Sequence, residues 1–210
     1  ADKIEQSIHF IAKAEKPDFL LSLLRDHASE SALVFARTKH GSDRLAKHLT
    51  RAGVAAVAIH GNRSQGQRQR ALEAFASGDA PVLVATDVAA RGLDIPVVKH
   101  VYNYELPNVP ETYVHRIGRT ARAGREGAAI TLCAPDEMGE LKDIEKVIKG
   151  EIPVASGRRW SPAQEEAKPK RGGGGGRGRR GGGAGRPQGA KPQAAKPDGR
   201  NRRRRPRKSA

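Results

Sequence analysis

Short apolar runs rich in branched side chains alternate with longer amphipathic segments between residues 4 and 154. Five of these runs are apolar along nearly their whole length, which is typical of parallel strands buried on both faces. The predicted strands are SALVFAR (31–37), VAAVAIH (54–60), PVLVATD (81–87), VVKHVYNYE (97–105) and AAITLCA (128–134).

Four segments carry apolar residues three and four positions apart, which is the period of an amphipathic helix. They are 17–28, 40–53, 64–78 and 135–149. The second and the third end in glycine, as helices often do. Because such helices alternate with buried strands, the sequence predicts an α/β fold, a doubly wound parallel sheet with helices on both faces.

The apolar pattern stops near Gly157, where low-complexity sequence of Arg, Gly and Pro begins. From Gly157 to Ala210 there are 18 Lys and Arg against 3 Asp and Glu, which accounts for nearly all of the chain's net charge of +16. Such sequence cannot bury enough apolar surface to offset its chain entropy. Segments rich in Arg and Gly follow a phosphate backbone electrostatically and can stack guanidinium groups on bases. We therefore predict a folded domain over 1–155 and a disordered, basic, RNA-binding tail over 156–210. An acidic protein or ribosomal surface is the alternative target of this tail, and Trp160 is expected to pack on the domain.

Several classes of protein are disfavoured by composition. Cys133 is the only cysteine, so neither a disulfide framework nor a cysteine zinc site is expected, and no metal ligands are predicted. The sequence has no apolar run of membrane-spanning length, and its first residues do not resemble a signal peptide. We therefore expect a soluble, cytoplasmic chain with no membrane partner.

The stretch YVHRIGRTARAG (113–124) concentrates positive charge. Its His115, Arg116, Arg119 and Arg122 stand one or three residues apart, and no acid occurs between Val114 and Arg125. On a helical turn the three arginines would approach one stripe and repel each other. The planar fork of arginine matches phosphate oxygens, so we interpret the stretch as a phosphate site; a solvated basic face is the alternative.

Two further polar segments directly follow predicted strands, where open α/β sheets bind ligands. ATDVAARGLD (85–94) offers Thr86 and Asp87, and IHGNRSQGQRQR (59–70) offers several bases. A structural alternative exists for each. Thr86 or Asp87 could cap a helix, and the second segment could be a solvated helix face that begins after Ser64.

Taken in order, these segments resemble the C-terminal RecA-like domain of a DEAD-box ATP-dependent RNA helicase over roughly residues 1–155. The similar segments are LVFARTKHGSDRLAKHL (33–49) for motif IV, HGNRSQGQR (60–68) for the Gln-x-x-Arg element, VATDVAARGLDIP (84–96) for motif V and HRIGRTARAG (115–124) for motif VI. The combination is specific, although each fragment alone is not. The residues of these motifs are most similar to those of the bacterial RhlE-like branch, and the Arg/Gly-rich tail is consistent with that branch.

Ala121 departs from the Gly that many members of the family have at this position. A methyl group is expected to be tolerated there on a helix.

The resemblance implies roles in ATP hydrolysis. Arg119 and Arg122 would be arginine fingers, His115 would link them to an acidic motif of a first domain, and Asp94 with Gly92 would contact the nucleotide. The chain has neither Gly-x-x-x-x-Gly-Lys-Ser/Thr nor Asp-Glu-Ala-Asp. ATP with Mg²⁺ would therefore be held mainly by an N-terminal RecA-like domain, and this chain alone is expected to be inactive.

The resemblance also implies contacts with the sugar–phosphate backbone of RNA, which fix position without reading sequence. The residues are Arg37, Thr38, Gly61, Gln65, Arg68 and Thr86, with Asp87 shaping its loop. Expected partners are RNA, the N-terminal RecA-like domain and the ribosome or an RNA-degradation machinery. Two alternatives are a nucleotide-independent RNA-binding and annealing module that acts through the tail, and a DNA helicase. His115 disfavours the second, since related DNA enzymes usually have Gln there.

Overall fold

The computed structural model describes residues 4–121 and 126–165. Seven parallel strands in this part of the chain form one sheet. They are β1 (Ile4–Phe10), β2 (Ala32–Phe35), β3 (Ala56–Ile59), β4 (Val82–Ala85), β5 (His100–Asn103), β6 (Gly127–Cys133) and β7 (Val154–Ser156). Their order across the sheet is β3-β4-β2-β5-β6-β1-β7. The predicted parallel α/β sheet is confirmed.

Helices connect successive strands, as parallel strands require. They are α1 (Lys16–Asp26), α2 (Lys39–Arg51), α3 (Gln65–Ser77), α4 (Asp87–Arg91), α5 (Pro110–Ile117), α6 (Met138–Ile148) and α7 (Pro162–Glu165), with 3₁₀ turns at Lys13–Glu15 and Pro135–Glu137. Within the described ranges, none of these helices has the length and apolar character needed to cross a membrane.

Local polar groups fix where two long helices begin. The Thr38 side chain accepts a hydrogen bond from the Gly41 backbone N–H at 3.0 Å and caps α2. Ser64 and Gln67 form a reciprocal capping box at the start of α3, which ends at Gly78 with a φ of 86°. Such caps satisfy backbone groups that have no partner within the helix.

The core lies on both faces of the sheet because strand side chains alternate. Val34 points to the face covered by α1 and α2, where it packs in one cluster with Leu20 and Leu49. Its neighbours Leu33 and Phe35 point to the other face, which α3 and α4 cover. Helices α5 and α6 cover that same second face over β1 and β6. Full burial of each such side chain contributes about 1.5–3 kcal/mol to stability.

The first and last strands were not among the predicted strands. In β1 the polar residues Gln6, Ser7 and His9 interrupt the apolar pattern, although Ile8 is fully buried. All three residues of β7 are exposed. Since both strands lie at one side of the sheet, only part of their surface is covered, and the apolar signal is weak.

Trp160 packs on the domain, as expected. Its indole Nε1 donates to the Cys133 carbonyl oxygen at 2.9 Å, and the ring packs against the cluster around β1 and α6. The neighbouring Arg159 forms an ion pair with Glu145 at 2.6 Å. The described domain therefore includes Trp160, and the start of the tail stays a prediction.

Candidate functional site

The loops that follow β2, β3 and β4 meet at one edge of the sheet, here called the carboxyl edge. These strands are parallel neighbours, so Arg37, Gly61 and Thr86, which follow them closely, lie along the same edge. The structure therefore brings the segments with the predicted RNA contacts to one side of the domain, although they are far apart in sequence.

Arg116 on α5 is buried, and each of its three guanidinium nitrogens donates to an acceptor inside the domain. Its Nε and Nη2 donate to the two Asp87 carboxylate oxygens at 2.6 and 2.7 Å. Its Nη1 donates to Asn103 Oδ1 at 3.2 Å and to the Glu105 carbonyl oxygen at 2.7 Å. The guanidinium also lies 4.8 Å from the centre of the Phe35 ring. Arg116 thus ties the start of α4 to the end of β5, a structural role that sequence analysis did not assign.

Arg119 is placed differently. Helix α5 ends at Ile117 with Gly118 as its C-cap, so Arg119 lies beyond the helix, and the predicted helical stripe of arginines is wrong. The Arg119 side chain is half-buried, and within the described residues its guanidinium makes no hydrogen bond or ion pair. Arg122 lies outside the described residues. Among the described residues, Arg119 therefore has no acceptor that would compete with an external anion.

Ala121 is not on a helix either, so that expectation is wrong. Its φ is 53°, in the left-handed region, and its side chain is 3% exposed. A residue with a Cβ atom is strained there by about 1–2 kcal/mol. This backbone conformation gives a physical reason why glycine suits the position in similar sequences.

A small cleft beside α5, here called the arginine cleft, brings together two of the predicted catalytic residues. Exposed His115 and half-buried Arg119 line it, with Arg91, Thr112 and the Asp87–Arg116 pair. Arg91 Nη2 donates to Thr112 Oγ1 at 3.2 Å. The residues lining the cleft do not include Gly92, which ends α4, or Asp94, and both are exposed.

At the carboxyl edge, Arg37 is held by acceptors of its own chain. Its Nη2 donates to the Leu106 carbonyl oxygen at 2.9 Å and lies 3.6 Å from Glu137 Oε1. Its backbone N–H donates to Glu105 Oε1 at 3.1 Å. These contacts fix the orientation of Arg37 and partly neutralise its charge, while the neighbouring Thr38 is exposed and caps α2.

The segment after β3 is more open. Gly61 and Gln65 are exposed, and Arg68 is half-buried with its Nε unpaired. A Cβ atom at Gly61 would approach Lys39 Cε to 3.2 Å. Thr86 is buried at the N-cap position of α4, but its side chain makes no capping hydrogen bond.

Asp43, which the sequence motifs do not mark as a site residue, fixes the segment after β3 through contacts with His60 and Arg63. Asp43 on α2 accepts from Arg63 Nη2 at 2.7 Å, and its Oδ2 lies 2.9 Å from Nε2 of buried His60. Nδ1 of His60 accepts from the Asn62 backbone N–H at 3.2 Å, which leaves the proton on Nε2. Burial raises the pKa of Asp43, but the contacts with His60 and Arg63 outweigh it and hold the pKa below its usual value.

A buried ion pair supports the loop after β5. Lys16 contacts the Glu137 carboxylate, and both residues are at most 4% exposed. Lys16 also donates to the Tyr104 carbonyl oxygen at 2.8 Å, while Glu137 accepts from the backbone N–H groups of Leu106 and Ala134 at 3.0 and 2.9 Å. The sequence does not predict this pair, because Lys16 and Glu137 are 121 positions apart and no local pattern relates them.

Comparison with known proteins gives a consistent result. The helicase conserved C-terminal domain family matches residues 15–124. The ATP-dependent RNA helicase CshA of Listeria monocytogenes is 49% identical over 160 residues, which are 76% of this chain and 31% of that protein. This chain therefore spans about a third of the length of the curated relative.

Solved structures are similar as well. The DEAD-box protein SrmB of E. coli, solved with regulator of ribonuclease activity A, is 36% identical with a TM-score of 0.70, covering 80% of this chain and 98% of that chain. Dbp5 of S. cerevisiae, solved with RNA and ADP BeF3, is 34% identical with a TM-score of 0.66, covering 75% and 42%. The RhlE-like branch stays a prediction.

Proposed function

Because this chain belongs to the helicase conserved C-terminal domain family of DEAD-box proteins, we propose that it is the C-terminal half of an ATP-dependent RNA helicase. In this proposal it supplies arginine side chains to an ATP site and backbone contacts to RNA, and it drives local unwinding of RNA duplexes. One observation carries the proposal. The Arg116 guanidinium donates to acceptors inside the domain, whereas the guanidinium of Arg119, three residues further along the chain, has no partner within the described residues.

The arginine cleft suits a phosphate better than a metal ion. Among the described residues that line it, the carboxylate of Asp87 is already paired with Arg116. Mg²⁺ is therefore assigned to the N-terminal RecA-like domain, together with most contacts to ATP. ATP with Mg²⁺ supplies the phosphoryl group that is transferred.

Within this arrangement Arg119 donates to the oxygens of the transferred phosphoryl group and stabilises the charge that develops there. Its half-buried position reduces solvent screening, so the interaction is stronger than in open water. His115, exposed in the same cleft, lies where a second domain could reach it. Asp94 and Gly92 are the proposed nucleotide contacts outside the cleft, and Arg122 is a second proposed finger.

RNA is proposed to lie along the carboxyl edge. The exposed backbone around Gly61, the exposed Gln65 and the partly exposed side chain of Arg68 offer hydrogen-bond groups to phosphates. The Asp43–His60–Arg63 contacts fix the loop that presents them. Such contacts position a strand without reading its bases. The similar protein Dbp5 was solved with RNA and ADP BeF3, which supports RNA and a nucleotide as the ligands of this proposal.

The alternative of a nucleotide-independent annealing module is less favoured, since the curated relative is named as ATP-dependent. The RNA-degradation partner is part of the proposal and is supported by the SrmB structure with regulator of ribonuclease activity A. The ribosome as a partner, and a cytoplasmic location, stay predictions from the sequence.

We expect the 210-residue chain alone to show no RNA-stimulated ATPase and only weak nucleotide binding, because it has no phosphate-binding loop. The full-length protein should be active under the same conditions. The measurement is phosphate release with and without RNA. Turnover by the highly purified chain that is unchanged by Arg119→Ala would rule out the half-enzyme proposal.

The tail should dominate RNA affinity at low salt. Each phosphate contact on single-stranded RNA contributes about −0.7 to the slope of log K against log salt, so about five contacts would give a slope of about −3.5. A chain that ends at Glu165 keeps Trp160 and should lose that part of the slope without losing thermal stability. The measurement is fluorescence anisotropy with labelled RNA over a salt series.

The matched control for this experiment is a tail shuffled at constant composition, which should keep most of the affinity if the interaction is electrostatic. Unchanged affinity and slope after truncation would exclude RNA as the target of the tail. An acidic protein surface would then be the better account.

A further inference from the structure

The amino edge of the sheet, opposite the carboxyl edge, holds two histidines and a glutamate that the proposed function does not use. His27 follows α1, Glu30 precedes β2 and His100 is the first residue of β5. One possible ligand atom from each residue lies within 4.8 Å of the others. We propose that His27, Glu30 and His100 bind a divalent transition-metal ion of the zinc type.

The donor atoms are close to the spacing of a zinc site. His100 Nε2 contacts the Glu30 carboxylate, and His27 Nδ1 lies 3.7 Å from Glu30 Oε2. The two imidazole rings are 4.3 Å apart between centres and tilted by 35°. Ligand atoms around tetrahedral zinc are about 3.3 Å apart, as follows from bond lengths near 2.0–2.1 Å. Small side-chain rotations therefore suffice to bring the three donors around one ion.

The His100 imidazole makes no competing polar contact outside the cluster within the described residues. His100 is 5% exposed, and its Nδ1 is buried without a hydrogen-bond partner within the described residues. The polar contacts of this ring are thus confined to the cluster. Nε2, which contacts Glu30, is therefore the nitrogen of His100 that an ion in the cluster would use, and Nδ1 would stay unpaired when the ion is bound.

Charge around the cluster favours a cation. A cavity of about 460 Å³ opens beside it. The charged side chains that line this cavity with the cluster are Glu5, Glu126 and Lys99. Among the described residues that line the cavity, three carboxylates therefore face one lysine. Two imidazoles among the donors favour zinc-type ions over Mg²⁺ and Ca²⁺, which prefer oxygen ligands, and three protein ligands leave a fourth position for water.

The sequence predicts no metal ligands, because His27 and Glu30 are close together but His100 is distant along the chain. Parallel pairing of β2 with β5 brings them together, since Ala32 aligns with His100. An ion held here would connect the end of α1 to the start of β5. Because it would bind only the folded state, it should raise the thermal midpoint in a concentration-dependent manner.

The test uses the full 210-residue chain, free of any affinity tag and stripped of metal with a chelator. Titration with ZnCl₂ by calorimetry should give one site per chain, and titration with CoCl₂ should give the visible absorption of four-coordinate cobalt. His27→Ala removes one donor, and Glu30→Gln replaces a carboxylate by a weaker, neutral amide oxygen. Each should raise the dissociation constant for zinc at least about tenfold. Because His27 is exposed, its variant is expected to fold, which circular dichroism checks.

The matched control is His48→Ala, since the His48 side chain is 38% exposed and lies 3.1 Å from Asp18, much as the His27 side chain is 46% exposed beside Glu30. This variant should bind zinc like the parent chain. The proposal fails if the parent chain binds no stoichiometric zinc or if His27→Ala binds it equally well. Equal loss in His48→Ala would likewise overturn it, as non-specific surface binding.

Discussion

Replacing Arg119 by alanine is expected to lower kcat of the RNA-stimulated ATPase of the full-length protein by at least about 10²-fold. The guanidinium has no partner within the described part of this chain, and in the proposed function its charge acts on the transferred phosphoryl group. For the same reason the free energy of unfolding should change by less than about 0.5 kcal/mol. Steady-state turnover at saturating RNA and ATP, with thermal melts of the same preparations, measures both effects.

Arg51→Ala is the control for this variant, because Arg51 is an exposed arginine at the far end of α2, away from the carboxyl edge. It should leave turnover unchanged. Arg122→Ala should resemble Arg119→Ala, although Arg122 lies outside the described residues. Wild-type turnover in Arg119→Ala, or unfolding of the domain, would mean that the role of Arg119 is structural.

Arg116→Ala, in contrast to Arg119→Ala, should act mainly on stability. It should lower the free energy of unfolding by about 3–5 kcal/mol, which is typical when one partner of a buried ion pair is removed. The change leaves Asp87 unpaired and removes the hydrogen bonds to Asn103 and to the Glu105 carbonyl oxygen. Urea denaturation of the 210-residue chain is the measurement. Arg119→Ala, three residues away, is its matched control.

A double variant separates the cost of an unpaired charge from the value of the pair. Replacing Arg116 by methionine and Asp87 by leucine removes both charges, so much of the lost stability should return. If Arg116→Ala alone were as stable as the parent chain, the contacts of Arg116 would not support the fold. The division between a structural and a functional arginine would then have no basis.

The central fold could be predicted from sequence because its signals are local. The uninterrupted apolar run around Leu33, Val34 and Phe35 predicts a strand buried on both faces, and the structure has one. Thr38 and Ser64 precede amphipathic segments and do cap helices. The half-polar β1 gave no such signal, because its burial depends on β6 and α6, which are distant in sequence.

The site could be predicted only in part. Residue types and spacing point to a phosphate role for the arginine stretch, and only the family resemblance distinguishes Arg119 from Arg116. The physical basis of that distinction is Asp87 at the start of α4, which pairs with Arg116, and Gly118, which ends α5 before Arg119. Similarly, Asp43 meets His60 only because α2 packs beside β3. Long-range contacts of this kind have no local sequence signature.

The most direct test of the account compares how the full-length protein and its Arg119→Ala variant bind ADP and ADP with aluminium fluoride, in the presence of RNA and Mg²⁺. An arginine that acts on the transition state should matter for the analogue of that state and little for the product. We expect the affinity for ADP to change less than about threefold and the affinity for the analogue to fall about 10²-fold or more. Equal changes for both ligands, or no change for either, would contradict the assignment of Arg119 to the ATP site.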